Sequence, residues 1–343
     1  MNNKEYWIKR EQQKLNNQIK DVEALENKLK REFIKASKEI EKEIISLFIK
    51  YSEDNKLSYS EASNLLTSKD FKQWRYDLKT YMKLIEDSAD ERLLLELNTL
   101  AMKSRISRLE EMQYQINKCI NTVYDDVYNT TTKLLEGSIK ENYYQTIYDI
   151  HKSIGVGTSF AYVDEKMIKE ILSYPWSGKN YSARIWGTNR DRLKDILETE
   201  ITQMVTRGES LKTVATRVKE LTNTAYEKCA ALINTEHSYV MGEASAKAYE
   251  ELGVEKYQFV ATLDSKTSKT CQKLDRKIFK LSERQVGVNA SPMHTKCRST
   301  EIPYIENDNL STRFARDRNG KRIEVPSSMS YNKWYEIFIG DDG

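Results

Sequence analysis

The residue types that could bind a metal or move a proton gather in one stretch of the chain. Asp264, Thr267 and Cys271 are followed by Pro292, His294, Cys297 and Arg298, so two of the four cysteines and one of the three histidines fall together. Two thiolates and an imidazole suit a tetrahedral Zn²⁺, with Asp264 or His237 as a fourth donor. His294 and Cys297 are three positions apart, a spacing at which one short turn aims both side chains at a common point. Two other readings stay open. Asp264 could hold a tight turn by hydrogen bonds, with Cys271 and Cys297 as small buried apolar residues. Alternatively the two cysteines form a disulfide, which a reducing cell disfavours.

Glu236 and His237 are adjacent in a helical stretch and offer a second constellation, a general acid/base pair. A lone pair of this kind more often caps a neighbouring segment or meets a basic residue. No G-x-S-x-G nucleophile turn and no Walker A loop accompanies it. Gly155 and Gly157 lack the third glycine and the preceding strand of a dinucleotide site. Basic residues cluster at Lys266, Lys269, Lys273, Arg276, Lys277 and Lys280, and again at Arg313, Arg316, Arg318, Lys321 and Arg322. Runs like these are commonly solvated faces. Flanking one small module, they could also contact phosphates without reading sequence, in a salt-sensitive way.

These residues are set in a polar chain of 343 residues, long enough for two or three domains. Its 55 basic and 52 acidic side chains leave a net charge of +3, so there is no global field to recruit nucleic acid and any DNA contact must be local. Charged residues at 31 % and apolar ones at 39 % suit long helices with narrow apolar stripes and wide solvated faces. Four scattered cysteines in a long chain read as a protein matured in a reducing cytoplasm, not as a disulfide framework. The opening residues Met1 to Gln13 lack the apolar core of a signal peptide. The apolar cluster Ile44 to Ile49 is too short to span a bilayer, so no membrane partner is expected.

All four prolines, Pro175, Pro292, Pro303 and Pro326, lie in the second half, which permits very long helices before them. Ile8, Leu15, Ile19, Val22, Leu29 and Phe33 recur at helical spacing and predict an amphipathic helix with coiled-coil character. A short insertion over Leu57 to Leu66, with Ser58 and Glu61 at capping-box spacing, precedes helices over Phe71–Ser88, Asp90–Val127 and Tyr128–Ser153. Gly155 opens a hinge that runs to Arg184 and holds the turn-rich Pro175–Lys179 stretch. Helices follow over Leu193–Val205, Leu211–Leu221 and Ala225–Leu252. Beyond Gly253, Tyr257–Thr262 alternates like a strand, and Asn319-Gly320 marks a hairpin. The fold expected is mainly α, with a small C-terminal α+β module.

Taken in order, these residues resemble a known family. Glu236, Ala244 and Gly253, then Asp264, Thr267, Cys271, Leu274 and Phe279, then His294, Cys297, Arg298 and Pro303 are similar to the D-x-x-T…C…L-x-G-x-x-F…H-P-x-C-R pattern of the Mu-F-like head morphogenesis family. Arg276 stands where that family favours glycine, and Thr295 where it favours proline. Trp176, Gly178, Ser182, Trp186, Gly208 and the tail around Pro326 and Trp334 also look like Gram-positive phage minor head proteins. The resemblance covers about residues 160–343.

With the helix and turn pattern above, the expected division is long N-terminal helices over residues 1–153, a linker over 154–185, a Mu-F-like domain over 186–305 and a hairpin and tail over 306–343; the resemblance bears on the part from about residue 160. It implies Glu236, Thr267, Arg298, Trp176 and Gly178 as motif residues. It further implies a structural minor capsid protein, not an enzyme, held in the virion near the portal vertex. Its partners would be the portal protein, capsid or scaffold proteins and nonspecific double-stranded DNA, whose packaging, retention or ejection it would assist. The contrasting expectation is a metal-dependent nuclease built on Asp264, Glu236, His237 and His294.

Overall fold

Long amphipathic stretches free of proline form the helices here. The computed structural model of the chain describes residues 3–54, 100–154, 159–206, 209–304, 312–316 and 322–326, together with Met329, Lys333, Glu336 and Ile337. Helix α1 spans Asn3–Asp54, α2 spans Leu100–Ile154 and α3 spans Glu165–Ser173. Residues 181–206 are helical with π-type turns over Arg184–Arg190 and Leu197–Ile201. Helix α4 runs over Leu211–Glu251 and a short α5 over Lys269–Leu274. The expected insertion at Leu57–Leu66 and helix at Phe71–Ser88 lie outside the described residues, as do Asn319 and Gly320.

The chain divides into two compact units. One comprises Asn27–Tyr128 and Arg184–Cys229. Its core is built from Leu29, Phe33, Ile40 and Ile44 of α1, with Ile116, Ile120 and Tyr124 of α2. The α1 residues are spaced by four, seven and four, the seam of a heptad. Phe33 meets Tyr124 edge-on at 5.8 Å and Tyr226 at 6.2 Å. Polar links at the margin include Asn117 to Glu198 at 2.6 Å and Arg217 to Glu200 at 2.7 Å.

The other unit comprises Met1–Glu26, Asn129–Ala183 and Ala230–Gly343. Here the buried Asp149 accepts from Arg10 at 2.8 Å, and Lys14 donates to Thr146 at 2.9 Å. Ile19, expected on the apolar stripe of α1, is 39 % exposed, whereas Val22 is buried.

Two expected helix breaks are absent. Helix α2 continues through Val127 and Tyr128 to Ile154. Helix α4 continues through Thr222-Asn223-Thr224, because the threonine hydroxyls donate back to Val218 and Glu220 carbonyls at 2.9 Å instead of capping a new helix. Within the expected hinge, Asp164 caps α3 by accepting from the Met167 amide at 2.7 Å.

Three antiparallel strands follow α4: β1 (Lys256–Val260), β2 (Ile278–Lys280) and β3 (Thr300–Pro303), in the order β2-β1-β3. Tyr257 pairs with Phe279 on one side and Pro303 on the other, and Phe259 lies opposite Glu301. Tyr257 and Phe259 are fully buried, so the period-two alternation read at Tyr257–Thr262 points one face inward. Strands β4 (Thr312–Arg316) and β5 (Arg322–Pro326) pair antiparallel with Arg316 opposite Arg322, the arrangement expected of the hairpin. The fold is mainly α with a small α+β module near the C-terminus.

Candidate metal centre

The three residues that could hold a metal stand on two short segments that the small sheet brings together. Cys271 lies in the first turn of α5, whose N-cap Ser268 accepts from the Cys271 amide at 3.2 Å. His294 and Cys297 stand on a tight turn closed by the Cys297 amide donating to the His294 carbonyl at 3.1 Å. Lys296 in that turn has φ 57, and its amide donates to the buried Thr235 hydroxyl of α4 at 3.0 Å. Phe259 and Ala261 of the sheet region form the floor, with Leu274, Phe279 and Met293 packed against it.

The ligand atoms converge. Cys271 Sγ lies 3.8 Å from Cys297 Sγ and 3.4 Å from His294 Nε2, and all three donor atoms lie within 4.8 Å of one another. A tetrahedral zinc with the usual Zn–S and Zn–N bond lengths has edges of about 3.8 Å between sulfurs and about 3.5 Å between sulfur and nitrogen. The observed separations fit both edges. His294 Nδ1 lies 2.9 Å from the Thr295 carbonyl. A carbonyl only accepts, so Nδ1 carries the proton and Nε2 presents its lone pair to the sulfurs.

The electrostatics agree with a thiolate. A hydrogen bond from Cys297 draws the Cys271 thiol down to about 6 against its burial, helped by Ser268, Ser299 and the charge of Arg298. The same hydrogen bond, together with burial, pushes the Cys297 thiol up. Metal ligation requires both thiols as thiolates, so a divalent cation would displace a remaining thiol proton.

Asp264, expected as a possible fourth donor, is not brought into the cluster. Both of its carboxylate oxygens accept from Arg298, the second at 2.7 Å, and it also accepts from the Lys266 amide at 2.9 Å and the Thr267 hydroxyl at 3.1 Å. Burial alone would push the Asp264 carboxyl up. Arg298, Lys266 and Thr267 outweigh it and hold the group below the usual carboxylate range. The Thr267 hydroxyl also donates to the Thr262 carbonyl, and Thr262 donates to the Arg298 carbonyl at 2.6 Å. Asp264, Thr267 and Arg298 therefore tie the segment before Cys271 to the segment after Cys297.

Glu236 and His237 part company, because successive helical residues point about 100° apart. The buried Glu236 accepts from the Trp176 indole at 3.3 Å, and that ring stacks on Tyr239 with centroids 5.3 Å apart. Gly178 turns the chain beside Trp176 with φ 87, its amide donating to the Pro175 carbonyl at 2.9 Å. His237 Nε2 lies 2.9 Å from the Ser138 hydroxyl of α2, and burial pushes its pKa down to about 4. Asp264, Glu236, His237 and His294 thus face four different sets of partners, and the arrangement expected of a nuclease centre is not assembled by them.

Lys266, Lys269, Lys273 and Lys277 are exposed around α5. Arg276 takes φ 68, the left-handed backbone that glycine adopts without penalty, so arginine here keeps the turn of a glycine. Arg316 sits on β4, while Arg318 lies outside the described residues.

Sequence reasoning missed a second buried cluster. Arg284 donates to Glu243 at 2.5 Å and to Glu301 at 3.2 and 3.1 Å, and Glu301 also accepts from the Ser291 amide and hydroxyl at 2.6 Å. Burial pulls the Arg284 pKa down, but Glu301 and Glu243 more than reverse it. The signal available was Gly242, set in a long helix next to Glu243. A Cβ there would come within 2.9 Å of Arg284 Nη2, so the missing side chain makes room for the guanidinium.

This module, with its helix, sheet and clustered motif residues, falls in the part of the chain that known proteins match. Residues 195–302, about a third of the chain, match the family described as Phage Mu protein F like protein. A stretch of 120 residues is 28 % identical to an uncharacterized protein of Haemophilus influenzae, over 35 % of this chain and 27 % of that protein. The chain thus spans about a quarter of that relative's length. No solved structure matches. Among the described residues, no helix is long and apolar enough to cross a membrane.

Proposed function

We propose that this chain is a minor structural component of a phage head, made in the host cytoplasm and built into the capsid interior beside the portal vertex. Its partners are the portal protein and neighbouring capsid or scaffold proteins, and it assists DNA packaging, retention or ejection. The observation that carries this reading is the Mu-F-like match over residues 195–302. The helices of 52 and 55 residues are long enough for extended contacts with other head proteins. Exposed Lys266, Lys269, Lys273 and Lys277 suit contact with DNA phosphates irrespective of sequence. Zn²⁺ on Cys271, His294 and Cys297 acts as a staple, joining two segments that otherwise rely on hydrogen bonds.

The test is a pull-down of the purified full chain with the portal protein of the same phage, with zinc quantified in the same sample. Retention of the portal together with about one zinc per chain is the expected result. Retention without zinc would keep the head role and return the three residues to ordinary packing. No retention at any salt concentration would remove the portal reading.

A further inference from the structure

We infer that the metal centre is completed from solvent: three donors come together among the described residues, and the fourth position on the ion is taken by a small exogenous ligand. This inference rests on the reading of Cys271, His294 and Cys297 as metal ligands, and goes beyond it by assigning an open coordination position.

Each acidic or imidazole group in the motif is committed elsewhere by named partners. Asp264 is clamped by Arg298 and accepts from Lys266 and Thr267. Asp275 accepts from the Ala261 amide at 2.9 Å. Glu301 is held by Arg284 and Ser291, Glu236 accepts from Trp176, and His237 lies against Ser138. Among the described residues, the group of metal-ligating atoms that comes together contains three members. Moving Asp264 onto the ion would strip Arg298 of its partner and unfasten the segments that place Cys271 and Cys297.

Position and charge say what the fourth ligand is. The two cysteines are buried and His294 is the least buried of the three, so the cluster meets solvent on the imidazole side. Two thiolates cancel the charge of a divalent ion, leaving a neutral centre. Such a centre holds a water molecule and exchanges it for a small monodentate anion. Three protein ligands plus one exchangeable position is the pattern of reactive zinc sites, while closed structural sites use four protein ligands.

The full-length protein loaded with Co²⁺ reads the coordination directly through its visible absorption. One Co²⁺ per chain is expected, with ligand-field bands that shift saturably as azide is added, while the thiolate-to-cobalt charge-transfer band stays. Stoichiometric Co²⁺ with bands that ignore azide would mean a fourth donor from the chain. That result overturns the open position but leaves the metal site standing. No Co²⁺ binding would remove the metal site itself, and the inference with it.

Discussion

At the residue scale, a single hydrogen bond sets which ring nitrogen of His294 faces the two sulfurs. Because the Thr295 carbonyl accepts from Nδ1–H, Nε2 faces the sulfurs without any rearrangement. His294→Ala should therefore bring the zinc content well below one per chain. At free zinc about 100-fold above its Kd, binding contributes ~2.7 kcal/mol. Chelation should then lower the melting temperature of the unaltered chain by several degrees and leave that of His294→Ala almost unmoved. Paired thermal scans with and without chelator make the comparison. Gly242 makes the opposite point, that an absent side chain can be specific. Arg284 is fixed by Glu243 and Glu301 and is almost wholly buried, so it cannot give way to a new methyl group. Alanine gains roughly 1 kcal/mol of helix propensity, but overpacking costs about 1–3 kcal/mol. Gly242→Ala is expected to destabilise the fold by ~1 kcal/mol in denaturant titration.

At the scale of elements, α4 is the frame on which the C-terminal module is mounted. Thr235, Glu236, His237 and Gly242 each hold a different neighbour: the Lys296 turn, Trp176, Ser138 of α2 and Arg284. His237 makes this helix contact sensitive to acid. Its pKa falls from 6.5 to about 4 through burial, so the unfolded chain binds the proton more readily. The stabilisation is present in full above pH ~6.5 and is lost as the pH falls toward 4; the shift corresponds to ~3 kcal/mol. His237→Gln should flatten the stability profile across that window, as followed by urea midpoints at successive pH values.

The elements were unevenly legible in the sequence. The alternation at Tyr257–Thr262 and the His294/Cys297 spacing are local patterns, and both correspond to local geometry. The partners of Asp264 and Glu236 were not legible, because Arg298 and Trp176 stand 34 and 60 positions away. Spacing alone made Asp264 a metal donor as readily as an arginine partner. The helix breaks expected near Tyr128 and Thr222 followed weak propensities, which back-bonding hydroxyls and packing overrode. Arg276 shows the same limit: the family's glycine implied a left-handed turn, and the turn is kept without the glycine.

At the scale of the whole molecule, near-neutral net charge confines any DNA binding to local basic patches, of which the lysines around α5 are one. If they contact phosphates, affinity should fall linearly on a log–log plot against salt, each lost phosphate contact lowering the slope by about 0.9. Replacing Lys266, Lys269, Lys273 and Lys277 by glutamine should flatten the plot by up to roughly 3–4, without changing preference among DNA sequences. Fluorescence anisotropy with two unrelated duplexes at several salt concentrations checks both statements.

The tie between Asp264 and Arg298, with Thr262 donating to the Arg298 carbonyl, turns the stretch between them into a clasped ring. A ring fastened at its base does not depend on every link along its rim. Val288, which is 56 % exposed beside the φ 81 turn at Gly287, lies on that rim. A protease site inserted there should yield two polypeptides that migrate as one species on a native gel and separate only in denaturant. The module would then tolerate a severed backbone so long as its clasp holds.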